Sequence, residues 1–328
     1  MKRFLVPIAL LLAVGLVLVL AQAVEQRART SASGPGPGRP AISPPPGSYP
    51  RGTSVSLQAS QPRAEIVFTT DGTVPTAAVG HRYDTPLRLD AAFPGVTTLR
   101  AVEVLGGETG PVLNATYLVG FEPTLPVVAI TAEPADLWDA ERGLFVNTSW
   151  RGADWERPVH VTGFLDGAVA FSEPAGMRID GREPWTAEKQ SLRLYFRQAY
   201  GAGRISAPLF PGHLHQPAQD QVYKRLLLQA GVRDPRWSLL RDHLVSEAAR
   251  AMGFPLAEGR FVWLFVNDVS WGVYRLTERV DRFFLEDNLA IASADVVREG
   301  DAREGTDEAW EALVDFVESH NLGDVAHY

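Results

Sequence analysis

The sequence contains no cysteine among its 328 residues. This absence excludes disulfide frameworks, thiolate nucleophiles and cysteine-ligated zinc sites, and it allows an oxidising compartment without indicating one. Runs of lysine and arginine are also missing, and the formal net charge is −8. The chain therefore offers no footprint for a phosphate backbone, and we expect no nucleic-acid partner.

What is present is the composition of a globular protein. Hydrophobic residues make up 45% of the sequence and charged residues 21%. These proportions exclude collagen, a coiled-coil rod, a wholly disordered chain and a multi-span membrane protein. The length suffices for one large domain or two ordinary domains with a hydrophobic core.

The N-terminus carries a targeting pattern. Lys2 and Arg3 precede an uncharged, apolar stretch over residues 4–24. Basic residues before such a run are typical of a secretory signal, and Ala21-Gln22-Ala23 fits a cleavage site. As a helix the run would also span roughly 30 Å, enough for an uncleaved membrane anchor. We predict that residues 1–24 are a signal peptide or a membrane anchor, and either alternative exports the protein to the cell envelope or exterior.

Proline and glycine dominate the segment that follows, over residues 25–41 and into Pro44-Pro45-Pro46-Gly47. Proline lacks a backbone donor and glycine raises the entropy of the unfolded state, so this segment is predicted to be neither helix nor central strand. It is typical of an extended tether.

Residues 42–120 have the pattern of a small β domain. Val55 and Leu57 alternate with serine, residues 66–70 are β-branched or aromatic, and Asp71-Gly72 is a strong turn signal. Short strands at close spacing without helical periodicity predict a β-sandwich.

The segment Thr69-Thr70-Asp71-Gly72-Thr73, followed by Pro75-Thr76 and the strand at residues 97–101, resembles the chitobiase/β-hexosaminidase C-terminal type of β-sandwich. Such modules accompany many exported bacterial proteins, and the resemblance implies contact with carbohydrate. Because no ladder of exposed aromatic residues appears here, the residues favour a structural role.

The larger region, residues 124–328, mixes strands and helices. Leu192, Leu194 and Phe196 alternate with polar residues, as in a half-buried strand. Residues 235–252 show helical periodicity, residues 261–276 predict a hairpin that turns at Asn267-Asp268, and residues 306–319 predict a last helix. The fold class expected for the protein is an all-β sandwich followed by an α+β domain.

The second region resembles the CotH (spore coat protein H) kinase family, an atypical and exported kinase-like group. The matching residues are Gly181, Lys189, Leu192, Leu227-Leu228, Asp234, Leu240-Arg241-Asp242, Gly253, Asn267, Gly272-Val273-Tyr274, Glu278 and Asp281. The resemblance implies an atypical protein-kinase-like domain whose small lobe is present. The large lobe, where such proteins hold their catalytic and metal-binding residues, would follow Tyr328, so the domain is expected to be C-terminally incomplete.

The same resemblance implies ATP and Mg²⁺ as cofactors and transfer of the γ-phosphate to Ser or Thr of a protein substrate. Lys189 would contact the phosphates, and either Asp242 or Glu247 would hold that lysine. Glu278, at the end of the hairpin, would contact the adenine edge or the ribose. No catalytic residue or metal ligand is assigned within the sequence, and the catalytic residues are expected beyond Tyr328.

A rival hypothesis is a non-catalytic surface protein of binding or structural function. In that case the sandwich would contact a cell-wall or surface carbohydrate, or another protein. His213-Leu214-His215 could hold a metal, but without a third ligand at useful spacing we expect a solvated loop.

Overall fold

A computed structural model describes most of the residues that follow position 35. The described residues are 36–90, 95–120, 122–180, 189–231, 240–298 and 300–324. The predicted signal or anchor and most of the predicted tether lie outside them. Within these ranges, no helix combines the length and apolar character needed to cross a bilayer.

The described residues from 41 to 119 form two packed β-sheets. Their strands are β1 (Ala41–Ser43), β2 (Gly47–Tyr49), β3 (Ser54–Gln58), β4 (Glu65–Thr69), β5 (His81–Arg82), β6 (Leu87–Arg88), β7 (Gly95–Leu105), β8 (Glu108–Thr109) and β9 (Leu113–Val119). One sheet has the order β1–β3–β6, and the other has the order β2–β9–β7–β4–β5 with β8 beside β7. The alternation in β3 turns Val55 and Leu57 toward Leu99 and Tyr117 of the other sheet. The predicted β-sandwich is confirmed.

The described residues from 127 to 304 contain the remaining strands. They are β10 (Val127–Ala132), β11 (Arg157–Leu165), β12 (Ala168–Asp180), β13 (Ser191–Tyr195), β14 (Ile205–Ser206), β15 (Val222–Tyr223), β16 (Arg225–Gln229), β17 (Gly259–Val266), β18 (Val269–Glu278), β19 (Val296–Arg298) and β20 (Asp301–Glu304). Seven of these described strands close a barrel in the order β10–β11–β12–β13–β16–β18–β17. The closing pair, β10 and β17, is parallel, and its neighbours pair antiparallel. Ile130, Met177, Leu194, Leu228 and Leu264 fill the interior and have no exposed surface.

The helices in the described residues are short. They are α1 (Pro134–Trp138), α2 (Arg241–Ala251), α3 (Arg282–Leu289) and α4 (Glu308–Ser319). Asp281 caps α3, because its side chain accepts hydrogen bonds from the backbone N–H groups of Phe283 and Phe284. Helix α2 falls inside the predicted helix, whose first residues, up to 239, lie outside the described ranges.

The apolar stripes of α2 and α4 face solvent. Leu244 of α2 is 61% exposed, and Trp310 and Leu313 of α4 are 44% and 54% exposed. Helical periodicity in the sequence predicted both helices but could not show what, if anything, each stripe packs against.

The sequence analysis predicted no strand between the strand of Leu192, Leu194 and Phe196 and the helix at residues 235–252. The structure inserts β14, β15 and β16 between β13 and α2, and β16 lies between β13 and β18 in the barrel. The prediction missed β16 because its residues, 225–229, form a short apolar run without a clear period. The division into small and large kinase lobes stays a prediction.

The sandwich and the barrel meet at the turn between β17 and β18. Asn267 Nδ2 donates to the carbonyl of Asp71 at 3.0 Å, and Asn267 Oδ1 accepts from the backbone N–H of Ala132 at 2.9 Å. Gly72 has φ +91°, and a Cβ there would lie 2.4 Å from the carbonyl oxygen of Ala132. The Asp71-Gly72 turn predicted from sequence is therefore also the contact with the second domain.

Arg100 reinforces this junction from within the sandwich. Its Nη1 donates to the carbonyl of Gly72 at 2.6 Å and its Nη2 to the carbonyl of Thr131 at 3.1 Å. Around these bonds the two domains share an apolar cluster of Val96, Leu118, Val127, Ala129, Phe164 and Phe265. The junction is thus a continuous packed interior.

Candidate functional site

A cleft lies at one end of the barrel, where β16 begins, β18 ends and α3 starts. Residues from these elements and the preceding loop line it: Gln216, Val222, Tyr223, Lys224, Arg225, Glu278, Arg279, Asp281, Phe283, Phe284, Asp287 and Asn288. Charged and aromatic side chains share this lining. Of the predicted site residues, Glu278 is the one the cleft contains.

Glu278 is buried behind the cleft, with 5% of its surface exposed. Its Oε1 accepts from Asn288 Nδ2 at 2.9 Å and lies 3.2 Å from His213 Nε2, and its Oε2 accepts from the backbone N–H of Glu258 at 2.8 Å. The two carboxylate oxygens therefore tie together three segments of the protein. Direct contact of Glu278 with a nucleotide stays a prediction.

His213 corrects one sequence expectation. Its side chain is 1% exposed, whereas the His213-Leu214-His215 segment was predicted to be a solvated loop. Backbone N–H groups of His215 and Gln216 donate to His213 Nδ1 while Nε2 faces Glu278, so the ring is enclosed by polar partners. Among the described residues, no group of three His, Asp or Glu side chains could hold a metal ion.

A ring of arginines surrounds Tyr195 beside the cleft. The guanidinium carbons of Arg178 and Arg197 lie 4.6 and 4.7 Å from the centroid of its ring, and those of Arg225 and Arg279 lie 5.7 and 6.0 Å away. Such positions favour cation–π attraction. Tyr195 is 3% exposed, so the four arginines pack around a buried aromatic ring.

The carboxylate of Glu156 binds two of these arginines, Arg178 and Arg197. Glu156 pairs with Arg178 at 2.6 Å and with Arg197 at 3.0 Å, and Tyr200 Oη donates to it at 3.0 Å. Gly176 leaves room for this hub, because a Cβ at that position would lie 2.4 Å from Glu156 Oε1. Arg178 and Arg197 thus share the carboxylate of Glu156.

Arg225 and Arg279 face the cleft itself. Arg225 Nη1 lies 2.8 Å from Asp281 Oδ2 and 3.0 Å from Glu304 Oε1. Arg279 Nε lies 3.6 Å from the same Asp281 oxygen. Burial, and then the neighbouring guanidinium of Arg193, lower the pKa of Arg279. Two arginines therefore share Asp281, and Glu304 supplies a second carboxylate to Arg225.

Lys224 and Asp287 are the remaining charged residues of the cleft lining. Lys224 Nζ lies 4.2 Å from the centroid of the Phe283 ring and 3.9 Å from a carboxylate oxygen of Glu286. Burial raises the pKa of Asp287, whose carboxylate makes no hydrogen bond or ion pair with another described residue. The lining thus holds three cations, Lys224, Arg225 and Arg279, and three carboxylates, Glu278, Asp281 and Asp287.

Lys189 lies elsewhere on the barrel. Its Nζ donates to the carbonyl of Val273 at 2.9 Å and lies 4.3 Å from the centroid of the Tyr274 ring, and burial lowers the pKa of this lysine. Val273 and Glu278 are five residues apart on β18, roughly 17 Å of strand. Lys189 therefore contacts the middle of β18, whereas Glu278 is the last residue of that strand.

Asp242 and Glu247 lie on the exposed helix α2. The Asp242 side chain is 70% exposed and its carboxylate is 3.8 Å from Arg241 Nε, while Glu247 pairs with Arg250 and His243. Within the described ranges, neither carboxylate forms an ion pair with Lys189. The structure does not bring the four predicted residues together, and their roles stay predictions.

The residues that sequence reasoning missed are Tyr195, Arg225 and Arg279. A signal existed for the first of them, since Arg193, Tyr195 and Arg197 form the polar half of the alternation in β13. That half was interpreted as a solvent face. Convergence of Arg225 and Arg279 on the same ring depends on strand order, which the sequence does not show.

Comparisons with known proteins agree with both resemblances noted in the sequence. Residues 178–321 match the family model described as CotH kinase protein, and this range contains the whole cleft. Residues 44–114 match the model described as chitobiase/beta-hexosaminidase C-terminal domain, which covers most of the sandwich. No curated protein matches the sequence. The chitobiase/beta-hexosaminidase C-terminal domain match thus precedes the CotH kinase protein match along the chain.

Proposed function

We propose that the protein holds the nucleotide-binding part of an exported atypical protein kinase, which transfers the γ-phosphate of ATP to Ser or Thr of a protein substrate. The observation that carries this proposal is the CotH kinase protein match over a range that includes the cleft lined by Lys224, Arg225 and Arg279. Phosphoryl transfer depends mostly on positioning and on neutralising phosphate charge. Lys224, Arg225 and Arg279 are placed to supply that charge.

Mg²⁺ would accompany the nucleotide, and the described residues do not make a complete site for it. Mg²⁺ commonly keeps several waters and takes one or two carboxylates together with phosphate oxygens. Asp287 is the cleft carboxylate without a protein partner, so it is the residue that would contribute to holding Mg·ATP. Bound Mg²⁺ would neutralise phosphate charge beyond what the cations supply.

Export is proposed from the sequence pattern of residues 1–24, as a secreted or membrane-anchored form. The sandwich is bound tightly to the barrel through Asn267 and Arg100, which supports a role in holding the cleft-bearing domain. Contact of the sandwich with a surface carbohydrate or protein belongs to the rival, non-catalytic hypothesis.

Binding of Mg·ATP to the whole protein tests the proposal. At a ligand concentration of about 100 times Kd, binding to the folded state adds about 2.7 kcal/mol to the free energy of unfolding. We expect urea unfolding to show such stabilisation for the wild type, and Arg279→Met to lose most of it. Arg82→Met is the matched control, because Arg82 is an exposed arginine of the sandwich whose side chain is 62% exposed.

Stabilisation by Mg·ATP that is equal for wild type and Arg279→Met would place the nucleotide outside the cleft. Absence of any stabilisation in the wild type would overturn the kinase hypothesis. Retention of the protein on surface polysaccharide in that case would favour the non-catalytic rival.

A further inference from the structure

We infer that Arg225 and the groups around it form a site for the phosphate groups of a nucleotide. In this structure the carboxylate of Glu304 occupies that site in place of an anionic ligand. The nucleotide as source of the phosphate rests on the proposed function. The site itself rests on the contacts described below.

The carboxylate of Glu304 is held at both oxygens. Oε1 accepts from Arg225 Nη1 at 3.0 Å, and Oε2 accepts from the backbone N–H of Arg282 at 3.0 Å. Guanidinium and backbone N–H groups bind carboxylate and phosphate oxygens by the same geometry. Burial alone would raise the pKa of Glu304, but the hydrogen bond from Arg282 and the pairing with Arg225 outweigh it and lower that pKa, so the occupant is an anion.

Glu304 is the more easily displaced of the two carboxylates on Arg225. The Asp281 side chain is 3% exposed and is also bound to the first turn of α3, whereas the Glu304 side chain is 22% exposed. Glu304 is carried by β20, which among the described strands pairs with β19 and no other. Both side chains of its ion pair with Arg225 keep some solvent contact, at 16% and 22% exposure, so solvent screens Glu304 more than Asp281.

The charges explain why a phosphate would take its place. When Glu304 departs, Arg225 and Arg279 are left to share the single carboxylate of Asp281. Lys224 adds a third positive charge to the cleft, whose lining also holds the carboxylates of Glu278 and Asp287. A polyphosphate carries more negative charge than one carboxylate, and Arg225 can bind its oxygens through two parallel N–H groups.

This site lies apart from the predicted phosphate lysine. Lys189 is bound to Val273, roughly 17 Å along β18 from Glu278. The inference therefore assigns phosphate contact to Arg225 and its neighbours instead of Lys189. A Lys189 variant offers an independent comparison for the experiment.

Calorimetric titration of the whole protein with pyrophosphate, and separately with Mg·ATP, tests the inference. We expect Glu304→Gln to bind pyrophosphate about fivefold more tightly than the wild type, because the competing charge is removed while the side-chain shape stays. Asp301→Asn is the matched control. It removes one charge from the same strand, at a side chain that is 65% exposed and pairs with Arg303, and should leave the affinity within about twofold.

Two further variants locate the site. Adding Arg225→Lys to Glu304→Gln should reverse most of the gain, since lysine keeps the charge but loses the paired N–H groups. Lys189→Met should leave pyrophosphate affinity unchanged. The inference is overturned if Glu304→Gln binds pyrophosphate no more tightly than wild type, or if Asp301→Asn gains as much.

The two ligands separate this inference from the proposed function. The wild type could bind Mg·ATP while Glu304→Gln changes neither the pyrophosphate affinity nor the Mg·ATP affinity. In that case Glu304 does not stand in for an anion, and the proposed kinase function is unaffected. If Glu304→Gln tightens pyrophosphate while no variant binds Mg·ATP, the anion site stands and the kinase hypothesis fails.

Discussion

The junction between sandwich and barrel and the cleft at the end of β18 both depend on arginine and on buried polar groups, but they are built differently. At the junction, Arg100 and Asn267 donate to backbone carbonyls, which are fixed by the strands and turns that carry them. In the cleft, Arg225 and Arg279 pair with the side-chain carboxylate of Asp281, and Arg225 also lies over the aromatic ring of Phe283.

We infer from this difference that the junction stabilises the fold, whereas the cleft binds a ligand. A backbone carbonyl cannot be exchanged for another partner without moving the backbone, so the junction bonds last as long as the fold. A carboxylate on a short hairpin can be replaced by another anion, because only its side chain has to move. We expect junction variants to change unfolding and cleft variants to change ligand affinity.

The largest effect is expected for Asn267→Ala at the junction. The substitution leaves the buried N–H of Ala132 and the partly buried carbonyl of Asp71 without their partner, and an unsatisfied buried group costs about 1–3 kcal/mol. Asn267 also has φ +54°, a conformation that asparagine tolerates better than alanine. We predict a loss of about 3 kcal/mol in the free energy of unfolding, measured by urea denaturation.

Asp268→Ala is the control for this variant, because Asp268 is the exposed neighbour in the same turn. Its free energy of unfolding should stay within about 0.5 kcal/mol of the wild type. Equal losses for the two variants would mean that the turn itself, and not its bonds to the sandwich, carries the stability.

The sandwich was the part of the fold that the sequence predicted best. Alternation at Val55 and Leu57 and the Asp71-Gly72 turn are local signals, and the structure confirms the strands and the turn they predict. The hairpin around Asn267 was predicted for the same reason. Its bond to Asp71, 196 residues away, could not be, because no local pattern encodes a partner across domains.

The candidate site was predicted poorly because it is assembled from distant strands. Lys189 and Glu278 were each placed correctly on or beside a strand, but β16 lies between β13 and β18. Lys189 contacts the middle of β18, and Glu278 is the last residue of that strand. Tyr195 and Arg225 are direct partners across β13 and β16. That register follows from barrel closure and not from any local sequence period.

An intermediate effect is expected from His160, which lies beside the junction opposite Thr131. Burial, then the charges of Arg100 and Arg39, lower its pKa from 6.5 to about 4. The folded protein keeps the ring neutral while the unfolded protein protonates it near pH 6.5, so stability falls as the pH drops from about 6.5 to 4. Because the ring is half-buried, we expect a contribution of about 2 kcal/mol between pH 7 and 4.5.

His160→Gln isolates this contribution, since glutamine can still bond Ser172, the hydroxyl that lies 2.8 Å from His160 Nε2. Urea unfolding at pH 7 and pH 4.5 should show the variant losing about 2 kcal/mol less than the wild type. Equal losses would show that the folded protein accepts the proton on His160 as readily as the unfolded protein does.

The smallest effect on stability is expected for Glu304→Gln in the cleft. The glutamine oxygen can still accept from Arg282, Asp281 still pairs with Arg225, and the lost ion pair is partly exposed. We predict a change below about 1 kcal/mol in the free energy of unfolding. A loss as large as that of Asn267→Ala would make Glu304 a structural partner like those of the junction, and a ligand could then displace it only by unfolding its surroundings. If Glu304→Gln loses little free energy of unfolding and binds pyrophosphate more tightly, then the junction stabilises the fold and the cleft can exchange the Glu304 carboxylate for another anion.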